Sequence, residues 1–344
     1  MPFMTTLQAK CHICRSNGEV WNLLGRPVEF CGGSGGGGGT NGEDYGGDTG
    51  DEPPRREPEV VLWALVVGAC VSSVAMTPSP SLAKTPKDDD TSVSVIIPAL
   101  NEAESIGATV RHLRNLEPAA LEVIVVDGGS SDATPRLAAQ AGAKVIRAKP
   151  DARGRARQMN LGASHASGDI LCFVHADTCP PLDLVQVVGG VLTDTRVACG
   201  GFVPVIQHGD RTFWFISLHN VIKTYYPALF RPVSFFRGLR CLFGDQVMFC
   251  RRREFDAVGG FDARYKIMED IDLCFRMHEL PVVGHRRRRV RLVNRVVTTS
   301  GRRFEQWGNL KATILHLYLG FSWYFGASPE QLNRDYVKLY GDIR

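Results

Sequence analysis

Val93-Ser94-Val95-Ile96-Ile97-Pro98-Ala99-Leu100-Asn101-Glu102 is a β-branched apolar run that stops on a turn and two polar side chains. Two further runs repeat the plan. Val123-Ile124-Val125-Val126 stops at Asp127-Gly128-Gly129, and Ile170-Leu171-Cys172-Phe173-Val174 stops at His175-Ala176-Asp177. Short apolar runs of this kind, bounded by Gly and Pro, predict strands buried on both faces of a parallel sheet. Helical patterns fill the gaps. The expected order is strand 93–97, helix 103–116, strand 121–126, helix 131–142, strand 144–147, helix 154–166, strand 169–174 and helix 181–193. This alternation specifies an α/β fold with a mostly parallel central sheet and helices on both faces. Ligands of such sheets bind beyond the carboxyl ends of the strands, where these polar residues fall.

The second half is less regular. It predicts strands near 197–205 and 246–250, an aromatic segment from Phe213 to Phe236, and a short acidic segment at 268–277. An apolar stretch from Leu310 to Phe325 precedes a helix that starts after Pro329. These parts are expected to complete the sheet and shape the acceptor side of a site.

The chain has 344 residues and a net charge of +4, enough for a large core and too little charge to argue for nucleic acid. Ten cysteines carry no disulfide-like spacing, and Cys172, Cys199 and Cys250 read as reduced core residues. Cys11-His12-Ile13-Cys14 has no second pair to complete a zinc site. Residues 1–58 include a glycine tract and an acidic, proline-bearing stretch that cannot offset its ordering entropy, and are expected to be disordered. The charge-free part of residues 59–77, Val60 to Met76, reads as a single membrane anchor, an internal targeting segment (plastid or other organelle) or a packing helix. A linker over 78–91 leads to one globular domain, 92–344.

Each polar station has two readings. Asn101 and Glu102 suit the cap and acidic first turn of a helix, or contacts to a base and ribose. Asp127, followed by glycines that let a ligand approach the backbone, suits ribose hydroxyls or a plain linker turn. His175 and Asp177 flank one small residue, so on an extended chain they share a side and could share a divalent cation. Acidic groups at strand ends, in place of a glycine-rich phosphate loop, point to ribose hydroxyls and a metal that carries phosphates. Glu269-Asp270 opens a short helix, where adjacent acids can raise each other's pKa and leave one poised as a base. The run Arg286-Arg287-Arg288-Arg289-Val290-Arg291 suits a solvated edge strand, or attraction to anionic headgroups or a phosphorylated acceptor.

Together the stations resemble the inverting family-2 glycosyltransferases of the GT-A fold, in a bacterial-type branch, also found in plants, that carries His175-Ala176-Asp177-Thr178 in place of Asp-x-Asp. The resemblance spans about residues 92–340. It extends to Arg153-Gly154-Arg155-Ala156-Arg157-Gln158-Met159-Asn160, Gly244-Asp245-Gln246, Met268-Glu269-Asp270, Thr299-Ser300-Gly301-Arg302-Arg303-Phe304-Glu305 and Gly326-Ala327-Ser328-Pro329-Glu330. It implies a single nucleotide-diphospho-sugar transferase domain. Pro98, Asn101, Glu102 and Asp127 would contact the nucleoside, with Arg155 beside the base or phosphates. Asp177, with His175, would hold Mg²⁺ or Mn²⁺. Asp270 would be the base, Glu269 its support, and Gly244, Asp245 and Gln246 would line the acceptor and donor-sugar side. The partners implied are a nucleoside-diphosphate sugar, an acceptor (lipid or phosphorylated small molecule among the candidates) and a membrane surface. No Gln-x-x-Arg-Trp motif is present, which excludes processive polysaccharide synthesis as the leading reading. A sugar nucleotidyltransferase would carry a basic glycine-rich loop after the first strand, where Pro98 to Glu102 stand. A nucleotide-sugar-binding protein without turnover is the alternative from outside the enzymes.

Overall fold

The computed structural model describes residues 92–281, 287–302 and 309–340. It also describes a short antiparallel pair, Val20–Trp21 with Pro27–Val28, in a separate unit spanning residues 1–35. The other expectations for residues 1–91, the apolar segment and Cys11 and Cys14 included, lie outside the described residues, as does Arg286. No helix among the described residues is long and apolar enough to cross a membrane.

The first half runs β1 (Val93–Ala99), α1 (Ile106–Arg114), β2 (Glu122–Asp127), α2 (Thr134–Gln140), β3 (Lys144–Arg147), α3 (Arg155–His165) and β4 (Ile170–Phe173). There follow β5 (Thr178–Cys179), α4 (Leu184–Leu192), β6 (Val197–His208), β7 (Arg211–Thr212), α5 (Trp214–Lys223), α6 (Pro227–Phe230) and α7 (Pro232–Phe236). The chain ends with β8 (Met248–Arg251), α8 (Arg252–Ala257), α9 (Glu269–Glu279), β9 (Arg289–Ser300), α10 (Asn309–Tyr324) and α11 (Pro329–Tyr340).

The sheet order is β3-β2-β1-β4-β8-β6-β9-β5, with β7 on β6. From β3 to β4 every pairing is parallel, as the apolar runs predict. β8 then enters antiparallel between β4 and β6, which the sequence pattern did not announce. β6 and β9 return to parallel pairing, and β9 meets β5 antiparallel only at Thr298 and Thr299.

β1 shows why the fold holds. Its side chains alternate between faces with a period of two. Val93, Val95 and Ile97 enter one core with Val110 and Leu113 of α1 and Val188 of α4. Ile96 enters the opposite core with Met159 and Ala163 of α3. Burying each such aliphatic side chain contributes about 1.5–3 kcal/mol. Gly162 lets α3 lie directly on the strands, because a Cβ there would stand 2.4 Å from Cγ2 of Ile96. A third cluster, with Met268 and Ile271 against Leu315, Leu319 and Leu332, fixes α10 and α11 over the start of α9. Cys172, Cys199 and Cys250 are buried free thiols, in keeping with the sequence.

The arginine run is split by the fold. Arg287 and Arg289 are exposed, whereas Arg288 reaches inward to Glu254 at 3.1 Å.

Candidate active site

Parallel pairing brings the carboxyl ends of β1, β2 and β4 to one edge. A cleft of about 270 Å³ opens there, lined by Pro98, Glu102, Arg155, His175, Asp177, Gly244, Asp245 and Asp270 among others. These sequence-predicted residues are thus brought together. Asn101, Asp127, Gln246 and Glu269 are not among the residues that line it; Asn101 is exposed, and the other three are buried.

At the β1–β2 end, short loops are laced to each other. The Oδ1 of Asn101 accepts from the Ser131 backbone N–H at 2.9 Å, and Ser130 Oγ accepts from the Asn101 N–H at 2.9 Å. Asn101 has a φ of 53°, a left-handed conformation that asparagine tolerates better than most residues. The Glu102 N–H donates to Thr134 Oγ1 at 2.7 Å, and the Ala103 N–H donates to Asp132 at 3.1 Å. Asp127 is fully buried and accepts from the backbone of Ser130 and Gly129, with Arg147 at 3.6 Å. Gln158 was not singled out from the sequence, although it lies within the quoted motif of α3. Its amide donates to the carbonyls of Ala99 (3.0 Å) and Val126 (2.8 Å), tying the ends of β1 and β2.

The third station departs from the extended geometry expected of it. The Thr178 N–H donates to the His175 carbonyl at 3.1 Å, so the chain turns at Ala176-Asp177, and both side chains line the cleft. The imidazole of His175 packs on Gly244, where a Cβ would meet its Nε2 at 2.3 Å. Asp177 instead faces Arg302, with Oδ2 and Nη2 3.7 Å apart. The same guanidinium binds Glu102 at 2.6 Å and Glu104 at 2.8 Å, so one arginine gathers three carboxylates. Arg302 belongs to the quoted Thr299–Glu305 segment, but its role was not legible there. Among the described residues no group of three or more His, Cys, Asp or Glu side chains is arranged to hold a metal ion.

The opposite wall is built by α5, the turn Gly244–Gln246, the start of α9, and α10. Met268 (φ 71°) and Val247 (φ 52°) take left-handed backbone conformations that non-glycine residues rarely adopt. Such strained positions cluster at functional sites. Met268 precedes the first turn of α9, which brings Asp270 to the cleft with Glu269 buried beside it. Asp270 is buried; Oδ2 accepts from the Gly244 N–H at 2.8 Å, and Oδ1 from the Ile271 N–H at 2.9 Å. Burial, and then the charge of Glu269, push its carboxyl up to about 7, against the pull of Arg155 and these two donors. Glu269 is 1% exposed and ion-paired to Arg155, whose guanidinium is therefore committed to the acidic pair. Gln246 turns inward, its amide donating to Thr224 at 2.9 Å, while Asp245 is held by the Asn220 amide.

Lys223, His219, Asn220 and His316, unremarked in the sequence, meet beside Asp270. Burial lowers the Lys223 ammonium, while Asp245 and Asp270 oppose the shift. Burial and then Lys223 bring the His219 imidazole down to about 4, and the same causes hold His316 well below its usual range. The spacing of His219 and Lys223, four residues apart on a helix, was the available signal.

Residues 94–258 match the model of glycosyl transferase family 2. Glucosyl-3-phosphoglycerate synthase of Mycolicibacterium smegmatis is 34% identical over 110 residues, 29% of this chain and 36% of that protein. The match thus spans about a third of the synthase's own length. A PGL/p-HBAD biosynthesis glycosyltransferase of Mycobacterium tuberculosis is 25% identical over 226 residues, 64% of this chain and 80% of that one. Among solved structures, a mannosyltransferase from Pyrobaculum calidifontis in complex with GDP-Man and Mn²⁺ superposes with a TM-score of 0.52. It is 17% identical and covers 82% of this chain and 80% of its own, a likeness of fold. On the fold described above and the match over residues 94–258, this chain carries a glycosyl transferase family 2 domain on a GT-A-like scaffold.

Proposed function

We propose that the cleft transfers a glycosyl group from a nucleoside-diphosphate sugar to an acceptor hydroxyl with inversion at the anomeric carbon. The observation that carries this reading is Asp270: a buried carboxyl, pushed up to about 7, held by two backbone donors and facing the cleft. A base is most effective when its pKa lies near the working pH. In this reading Asp270 takes the proton of the acceptor hydroxyl as its oxygen attacks the anomeric carbon. The diphosphate leaves from the opposite face. Glu269, paired with Arg155, keeps a negative charge behind Asp270 and sustains its basicity. Gly244 orients the base through its N–H, and Asp245, with the inward-turned Gln246 beneath it, shapes the acceptor and donor-sugar side.

The nucleoside is assigned to the β1–β2 end. Pro98 and Glu102 line the cleft there, while Asn101 and Asp127 fix the loops against which base and ribose would lie. The residues present fit a divalent cation of the hard kind, Mg²⁺ or Mn²⁺. Asp177 offers a cleft-facing carboxylate, and such ions accept one or two protein carboxylates when substrate phosphates complete the shell. Bound there, the cation would offset charge developing on the leaving diphosphate. Asp177 would be its principal protein ligand, and His175, turned onto Gly244, would take part only by leaving that contact.

The test is release of nucleoside diphosphate by the full chain across a panel of sugar nucleotides with Mn²⁺ or Mg²⁺. Donor-dependent release that Asp270→Asn abolishes while donor binding persists supports the reading. Donor binding without turnover over all donors and acceptors overturns it in favour of a binding protein.

A further inference from the structure

Lys223 closes α5 and lines the cleft with 94% of its surface buried, its relative exposure being 6%. Its ammonium lies 4.2 Å from the centroid of the Phe243 ring, an attractive but incomplete partner for a buried charge. Among the described residues it has neither an ion-pair partner nor a hydrogen-bond partner. An ammonium has three donors, and Lys223 brings them to the cleft wall. The nearby carboxylates do not supply the missing bonds. Asp245 is engaged by Asn220, and Asp270 by the N–H groups of Gly244 and Ile271. Both act on Lys223 only through their charge.

The neighbours deepen the imbalance. His219 and His316 crowd the same ammonium, and both are disfavoured as cations by it. Lys266 lines the cleft nearby as an exposed amine. A neutral hydroxyl could fill only one of the ammonium's hydrogen bonds. A phosphate supplies both oxygens and charge, and lysine binds phosphate as a point charge.

We infer that Lys223, with His316 beside it, forms an anion subsite that takes the phosphate of a phosphorylated acceptor whose hydroxyl is presented to Asp270. This rests on the glycosyl-transfer reading for its placement in the reaction. The subsite lies on the α5–α10 wall beside Asp270, the proposed base, and is therefore assigned to the acceptor.

The probe is inorganic phosphate, added to the full chain freed of divalent metal with EDTA and compared with chloride at equal ionic strength. Binding is followed by ³¹P line broadening in the wild type, Lys223→Met and Lys223→Arg. The expected result is saturable phosphate binding that Lys223→Met weakens by about tenfold or more and Lys223→Arg retains. Should Lys223→Met not fold, the wild-type competition decides: phosphate inhibits transfer competitively against acceptor and not against donor. Matched polyols with and without a phosphate then differ by about tenfold or more in kcat/KM, the phosphorylated member being favoured. Equal phosphate binding in wild type and Lys223→Met, competition against donor, or equal use of the unphosphorylated member overturns the inference. If no donor turns over at all, the glycosyl-transfer reading fails, and the metal-free phosphate titration still decides whether Lys223 is an anion site.

Discussion

The two ends of the cleft are held together by different means. At the β1–β2 end, polar groups are spent on structure: Asn101, Asp127, Asp132 and Thr134 are tied to backbone or to each other, and Gln158 locks the strand ends. At the α5–α9 end, Asp270, Lys223, His219 and His316 are buried with their ionisation displaced, and the backbone beside them is strained at Val247 and Met268. A satisfied network gives a rigid cradle, whereas uncompensated buried groups store chemistry that a ligand can release. The difference predicts that substitutions at the first end are read mainly in stability and donor affinity. Substitutions at the second are read mainly in turnover.

The sharpest way to break this contrast is at Asp270. Asp270→Asn is expected to lower turnover by about 10²–10⁴-fold with donor affinity retained, measured by steady-state kinetics and calorimetry. A loss of donor affinity of the same size would erase the distinction between the ends. Asp177→Asn comes next, with an expected fall of about 10²–10³-fold that more metal does not restore. Metal titrations of both proteins check it.

Gly244→Ala joins the two ends, because its Cβ would drive into the His175 ring. Overpacking there should cost about 1–3 kcal/mol, seen in thermal unfolding, and lower turnover by displacing the N–H that orients Asp270. Gln158→Leu removes only the lacing. It should cost about 1 kcal/mol per lost hydrogen bond, with kcat nearly unchanged and donor KM raised.

The same carboxyl also predicts a pH dependence of stability. Asp270 has a folded pKa pushed up to about 7, above the usual carboxyl value near 3.9. The folded state therefore holds this proton more tightly than the unfolded state. The resulting stabilisation is full below pH of about 4 and is lost as pH rises towards about 7. Thermal unfolding across that window should show the decline in the wild type and a reduced decline in Asp270→Asn.

The sequence announced the first end far better than the second, and for a physical reason. β1 to β4 are written as contiguous apolar runs, and parallel pairing carries their polar ends to one edge without further information. The antiparallel entry of β8 depends on a return path through α5–α7 that no local pattern encodes. At His175 the sequence predicts extended chain where the structure turns, because nothing in three residues distinguishes a strand's last position from a turn. Arg302 and Lys223 gain their meaning only from distant partners, Glu102 and Asp177 for one and the Asp245–Asp270 pair for the other. Glu269-Asp270 was legible as a pair of acids, but its burial by α10 and α11 was not.

The central claim is that Asp270 is the base of a glycosyl transfer carried out in this cleft. The most direct measurement is the pH dependence of kcat for nucleoside diphosphate release at saturating donor, in wild type and Asp270→Asn. The account predicts a rise with pH that bends near pH 7 in the wild type, and a low rate without that bend in the variant. A variant that keeps both the rate and the bend would contradict it.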